Sequence, residues 1–254
     1  MPTALRVKFP GHNNLLLDGR LEMPDNEPLH YATFSHCFTC NKDLLSTFRI
    51  SKHLAELGIA TLRFDFAGLG GSEGNFADTT FSANMQDLHA AARFLADNYQ
   101  APDLLIGHSL GGTTALACAG QLDCVEAVAT IAAPSQPQHV LHHFGAALQQ
   151  LEAGREASIV VAGVEYKIRP QFVHDLRRHD LKTILSQLHK PVLIFNVEAD
   201  PVVGELNALD IQQWCAGDST LINLQHTDHV LSDRDTAREV AEHIARFLDT
   251  QVYG

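Results

Sequence analysis

The sequence has no apolar run approaching the roughly 18–20 residues that a membrane span needs, so no membrane association is expected. Its N-terminus, MPTALRVKFPGHNN, lacks the long apolar core of a secretory signal, which makes a cytoplasmic protein the expectation. Positive charge is also short: 18 Lys and Arg stand against 30 Asp and Glu, a formal net charge of −12. Phosphate recognition needs a basic face, so nucleic acid is not an expected partner. Cysteine is limited to Cys37, Cys40, Cys118, Cys124 and Cys215, and an odd number without an export signal argues for thiols. Cys37 and Cys40 form a Cys-x-x-Cys pair, but no second such pair exists and the surroundings are not those of a thioredoxin unit. Structural thiols are therefore expected there rather than a redox or metal site.

What is present is an ordinary globular composition, 45% hydrophobic and 19% charged, in 254 residues. That length fits one domain over 1–254. Strand-like pieces at Leu5–Phe9, Leu15–Glu22 and His30–Phe38 precede a helical pattern over Asp43–Leu57 that stops at Gly58. Ala60–Phe66 then reads as a strand ending in the glycine-rich AGLGGSEG, and Phe81, Met85, Leu88, Ala92 and Leu95 mark one helix face. DLLIG, AVATIAAP, PVLIFNV and TLINLQ read as further strands, with a helix of small residues over Leu110–Gly120. A closing helix is expected from Asp233 to Leu248, with Ser232 and Asp235 at capping-box spacing. Short apolar strands alternating with amphipathic helices predict an α/β fold with a mostly parallel sheet covered on both faces.

One interval, about 135–190, is too long for an ordinary crossover. It reads as helices plus a hairpin turning near Ala162-Gly163, a cap over the carboxyl edge of the sheet, where α/β folds place ligands. Val164, Tyr166 and Ile168 would give the hairpin an apolar face packed on the cap helices or on a second subunit, with a homodimer as one option. His139, His142 and His143 fall on nearly one face of this segment. Nothing around them resembles a ligand set, so a surface or pocket-lining role is expected rather than a metal site.

The stretch GHSLGG carries the chemistry. Ser109 follows a strand and opens a helix, with Gly107 and Gly111 two places before and after it, the spacing of a nucleophile elbow. A serine hydroxyl needs a base that is itself held by a third group, and in this arrangement the chain order is serine, acid, histidine. FNVEADPVVG supplies Glu198 and Asp200 after a strand; Asp200, at the outer end of the loop, is the expected acid and Glu198 a solvated loop residue. LQHTDHVLSD supplies His226 and His229; His229, in the loop before the last helix, is the expected base. The backbone N–H groups of Leu110 and of Phe38, in SHCFTCNKD, are the expected oxyanion donors.

These residues together resemble the α/β-hydrolase superfamily over nearly the whole chain. More narrowly, SHCFTCNKD, LRFDFAGLGGSEGNFADTTFSANMQDL, LLIGHSLGG and DHVLSDRDTA resemble the hydrolase half of two-part proteins in which an α/β-hydrolase precedes an OsmC-type peroxide-reductase domain. The OsmC half and its peroxide chemistry are not implied. In that light the Cys-x-x-Cys pair looks like a family feature of the oxyanion loop, with Cys37 where many relatives carry glycine. The resemblance supports Ser109, Asp200 and His229 but leaves the substrate open; the presence of every catalytic part favours a serine hydrolase that cleaves a carboxylic ester or related acyl bond of a small molecule, with no cofactor and no metal expected. A sensing module with slow turnover and an acyltransferase are the alternatives, since cap shape and water access decide between them.

Overall fold

The computed structural model describes residues 2–252. Met1, Tyr253 and Gly254, the outermost residues of the expected single domain, lie outside the described residues. The strands are β1 (Thr3–Pro10), β2 (Leu16–Met23), β3 (His30–Ser35), β4 (Ile59–Phe64), β5 (Leu104–His108), β6 (Ala127–Ile131), β7 (Ala157–Val161), β8 (Val164–Ile168), β9 (Val192–Val197) and β10 (Ser219–Leu224). The helices are α1 (Leu45–Glu56), α2 (Phe81–Asn98), α3 (Leu110–Ala119), α4 (Ala147–Glu152), α5 (Pro170–Leu176), α6 (Leu181–Leu185), α7 (Leu206–Trp214) and α8 (Arg234–Val252).

Among the described residues, eight strands make one sheet in the order β1-β2-β4-β3-β5-β6-β9-β10. The β1–β2 and β2–β4 pairs are antiparallel and all the others are parallel. Alternation within the parallel strands builds a core on each face. Leu105, Val128 and Ile194 join Leu88, Leu95 and Leu116 on one side, while Ile106, Ala129 and Leu193 join Ile50, Leu54, Val240 and Ile244 on the other. Each large apolar side chain fully buried this way contributes about 1.5–3 kcal/mol.

One local expectation is corrected, and one helix has no counterpart in the sequence reading. Ser232 does not cap α8; Asp233 does, its Oδ1 accepting from the N–H groups of Asp235 at 2.9 Å and Thr236 at 3.0 Å. Ser232 is instead tied to Asp228, whose carboxylate takes both its N–H and its hydroxyl and so tightens the turn around residue 229. Helix α7 was not foreseen, because Leu206 and Leu209 are exposed and only Ala208 and Ile211 are buried, so no single apolar stripe marks it.

Between β6 and β9 run a 3-10 helix (Pro137–Phe144), α4, the β7–β8 hairpin, α5 and α6. This excursion touches loops that leave the carboxyl ends of the sheet: Tyr166 Oη donates to Thr39 O at 3.1 Å and His139 Nε2 to Val202 O at 2.9 Å. The hairpin turns through Ala162 and Gly163, both with positive φ. Its apolar face is divided: Ile168 is buried, Tyr166 packs edge-on to Phe76 at 5.1 Å, and Val164 is exposed.

Candidate active site

Parallel strands end on one edge, and that edge collects the residues singled out in the sequence. Ser109 directly follows β5, the loop 36–44 follows β3, Asp200 follows β9, and His229 follows β10. At Ser109 the backbone has φ 53° and ψ −126°, a region a side chain occupies only when its surroundings impose it. The surroundings are glycine. A Cβ on Gly107 would lie 2.2 Å from Gly111 O, and one on Gly111 would lie 2.3 Å from Ser35 O, both backbone atoms that cannot swing away.

Asp200 and His229 are paired, with His229 Nδ1 2.7 Å from Asp200 Oδ2. The other carboxylate oxygen accepts from Val202 N at 2.8 Å and Val203 N at 3.3 Å. Burial pushes the Asp200 carboxyl up, but the His229 ring and those two N–H donors outweigh it and hold it below the usual carboxylate range. An ionised Asp200 accepts the Nδ1 proton and leaves Nε2 as the free lone pair. Glu198 is exposed and makes no hydrogen bond or ion pair with His229, and His226 is exposed at the end of its strand.

Ser109 and His229 are not hydrogen-bonded to each other: among the described residues, no bond from Ser109 Oγ reaches the His229 ring. The tie between the elbow and the histidine loop is instead made by the neighbouring residue. His108 Nε2 lies 2.7 Å from the main-chain oxygen of His229, so it carries the proton and donates. Burial, with the His229 ring adding to it, pushes His108 down to about 3, so it is neutral at ordinary pH. Nothing in the motif Gly-x-Ser-x-Gly distinguishes the x position, so no residue pattern signals this contact.

Phe38 and Leu110 line one cavity of about 10 Å³, together with His36, Cys37, Thr39, Phe66, Leu69, Phe76 and Phe172. That is room for on the order of one water. Neither Phe38 N–H nor Leu110 N–H is bonded to another described residue. The apolar cap residues Val140, Leu141, Phe144, Leu148 and Phe172 read in the sequence as the lining of an acyl pocket, but of these Phe172 alone lines this cavity. Val140 and Phe144 are built into the core, and Leu141 and Leu148 pack against it. Aromatic rings occupy the space instead, with Phe38 within 6.2 Å of Phe76, Phe144 and Phe172, centroid to centroid.

The loop that carries Phe38 is fixed at both ends. His36, buried and held neutral mainly by burial, donates from Nδ1 to Cys37 O at 2.8 Å and accepts from Phe66 N at 3.2 Å. At the far end Lys42 Nζ meets Asp18 at 2.6 Å and Asp65 at 2.8 Å, while Lys42 N donates to Asp65 at 2.6 Å. Between these anchors the expectation of free thiols is overturned, because Cys37 and Cys40 are joined by a disulfide across a Cα–Cα distance of 5.3 Å. Their Cα atoms are brought within bonding range by a turn that also bonds Cys40 N to Cys37 O at 3.1 Å. Cys118, Cys124 and Cys215 remain thiols.

Two other clusters fail as reaction centres. Ser82 Oγ meets both Asp175 Oδ1 at 2.7 Å and His179 Nε2 at 2.9 Å, so the carboxylate binds the hydroxyl itself rather than orienting the histidine from behind. That trio docks α5 on α2. His142 meets His139 edge-on and tilts against His143, and among the described residues no group of three or more His, Cys, Asp or Glu is placed to hold a metal ion.

A solved structure, the esterase domain of a Rhodothermus marinus protein, superposes on this fold with a TM-score of 0.81. It is 38% identical and covers 98% of this chain and 99% of that one. This chain belongs to the α/β-hydrolase superfamily. Within it the chain is a serine hydrolase, and the family described as serine aminopeptidase, S33, matches residues 44–161, a span that includes Ser109 and ends before Asp200 and His229. A mitochondrial palmitoyl-protein thioesterase, ABHD10 of Homo sapiens, is 23% identical over 206 residues, covering 73% of this chain and 62% of its own length. Est1E of Butyrivibrio proteoclasticus, solved with ferulic acid bound, shares the fold at TM-score 0.80 and 19% identity, over 98% of this chain and 100% of that one. No described helix is long and apolar enough to cross a membrane.

Proposed function

We propose that this hydrolase is a carboxylesterase for small neutral acyl esters, working through Ser109, His229 and Asp200. The observation that carries the reading is the Asp200–His229 pair at 2.7 Å, on a loop that His108 ties to the strained elbow of Ser109. In the reaction, Ser109 Oγ attacks the ester carbonyl while His229 Nε2 takes its proton. Asp200 keeps the ring in the Nδ1–H tautomer and offsets the imidazolium charge. The oxygen that becomes negative is received by the N–H groups of Phe38 and Leu110, and one such donor is worth about 10²–10³ in rate. The intermediate collapses as His229 returns the proton to the leaving alcohol, and water repeats the sequence on the acyl-enzyme.

Two features support the esterase reading over a broader acyl hydrolase. The likeness to an esterase domain extends over nearly all of both chains. The space beside the oxyanion donors is closed by Phe38, Phe76 and Phe172, so a short acyl group fits with the least displacement of rings. A serine and histidine not yet in contact suit this picture, because catalytic hydrogen bonds are often long without substrate and tighten when it binds. The test is a panel of aryl esters of increasing acyl length, assayed with wild type and Ser109→Ala. Hydrolysis that is fastest for acetyl and butanoyl esters and lost in the variant supports the proposal, whereas equal rates in the two proteins would end it.

The same small cavity favours one other reading, a ligand-binding module with slow turnover. It predicts a covalently labelled Ser109 with no net release of product from any ester in the panel.

A further inference from the structure

We propose that Cys37 and Cys40 form a reversible thiol–disulfide site, opened by a dithiol reductant, that sets how well the oxyanion loop works. The inference rests on the reading of Phe38 as an oxyanion donor. The bridge closes a four-residue ring, Cys37-Phe38-Thr39-Cys40, so the proposed donor lies inside it. A bridge across three positions removes far less unfolded-state freedom than one that spans a long loop, so global stability is its smaller effect. Its local effect is larger, because it constrains a backbone that would otherwise relax.

Thr39 shows what is being held. Its φ is 59°, a left-handed conformation rare for a β-branched residue and kept only where the surroundings over-determine it. The surroundings here are the bridge, the Thr39 hydroxyl on Phe38 O at 2.7 Å, and Tyr166 Oη on Thr39 O at 3.1 Å. The loop ends stay anchored by His36 and by Lys42 with Asp65. Loss of the bridge therefore frees the middle of the loop and not its ends. Thr39 can return to an extended conformation, and that turns the Phe38 peptide, which follows directly on the Cys37 it shares with the bridge.

The two sulfurs differ in access. Cys37 is 5% exposed, while Cys40 is half-buried. A reductant thiolate attacks Cys40 Sγ, forming a mixed disulfide and releasing Cys37 as a thiolate that takes a proton. The second thiol of the reductant then attacks its own sulfur in the mixed disulfide and releases Cys40. Two electrons pass to the protein, two thiols form on it, and the reductant leaves as a cyclic disulfide. A disulfide-forming oxidant such as oxidised glutathione runs the exchange in reverse.

The experiment takes the full chain in two states, oxidised with glutathione disulfide or reduced with dithiothreitol, and reads thiols, turnover and serine labelling on each. Alkylation after denaturation should count three thiols in the oxidised state, matching Cys118, Cys124 and Cys215, and all five cysteines in the reduced state. Reduction should lower kcat for an aryl acetate about tenfold with KM changed less than about twofold, and re-oxidation should restore it. The Cys37→Ser/Cys40→Ser variant should have the reduced kcat and ignore the reductant. Thr39→Gly, which accepts positive φ freely, should cut the cost of reduction to less than about threefold. Equal kcat in the two states, five thiols after oxidation, or a reductant effect undiminished in Thr39→Gly would each overturn the proposal. Failure of the esterase reading looks different, since a fluorophosphonate would then label Ser109 in neither state.

Discussion

His108 Nε2 donates to the main-chain oxygen of His229 at 2.7 Å, so the residue before the nucleophile holds the backbone of the residue proposed as its base. With Ser109 and His229 not directly bonded, this contact sets where the histidine loop stands relative to the elbow. His108→Ala should lower kcat about tenfold with little change in KM, because the imidazole is displaced and a partly buried carbonyl loses its donor. His108→Gln, which keeps an N–H near the same place, should recover most of that loss. Steady-state kinetics on the two variants checks the pair.

The same residue links pH to stability. In the unfolded chain a histidine titrates near 6.5, while burial pushes His108 down to about 3 in the fold. Between those values the unfolded state binds a proton that the native state does not, so stability falls as pH drops from about 6.5 toward 3, by up to about 1.4 kcal/mol per pH unit. Buried His36, also shifted down, adds a slope of the same sign. Urea midpoints at pH 7 and pH 5 should therefore fall less in His108→Gln than in the wild type.

The choice between two carboxylates two residues apart is open to direct test. Asp200→Asn should cost on the order of 10³–10⁴ in kcat, because an amide favours the wrong imidazole tautomer. Glu198→Gln, at an exposed position with no hydrogen bond or ion pair to His229, should stay within about twofold of the wild type. Similar losses in the two variants would reverse the assignment.

The layout of the sheet and the neighbourhood of the site were legible because each rests on a local rule. Gly107 and Gly111 flank Ser109 because backbone lies within 2.3 Å of any added Cβ, and that requirement shows in the sequence as spacing. Asp200 and His229 follow strands whose apolar runs mark their ends. Contacts made through backbone atoms left no such trace, which is why His108 went unread, as did Tyr166 on Thr39. Helix α7 was missed for the opposite reason, since its exposed Leu206 and Leu209 break the amphipathic pattern. The disulfide was misjudged because compartment and cysteine parity say nothing about a turn that brings two Cα atoms to 5.3 Å.

Gly111→Ala is expected to damage the fold as well as the site. Its Cβ would sit 2.3 Å from Ser35 O and 2.4 Å from His36 O, so β3 or the elbow must shift, at about 1–3 kcal/mol or more. A lowered urea midpoint together with lost esterase activity is the expected result.

Phe172 is 2% exposed and lines the cavity beside the proposed oxyanion donors. Phe172→Ala should open space for longer acyl groups and raise the octanoyl-to-acetyl ratio of kcat/KM about tenfold, while the loss of a buried ring costs about 3–5 kcal/mol of stability. An unchanged ratio in folded variant protein would place the acyl group elsewhere.

The most direct measurement of the central claim is intact-mass spectrometry after reaction with a fluorophosphonate. The reagent needs an activated serine and oxyanion donors together, and its adduct resembles the tetrahedral intermediate. The wild type should gain one adduct, mapped by peptide digestion to Ser109; Ser109→Ala should gain none, and His229→Ala should react more slowly by orders of magnitude. A folded wild-type protein that gains no adduct, or one whose adduct maps to another serine such as Ser82, would contradict the account.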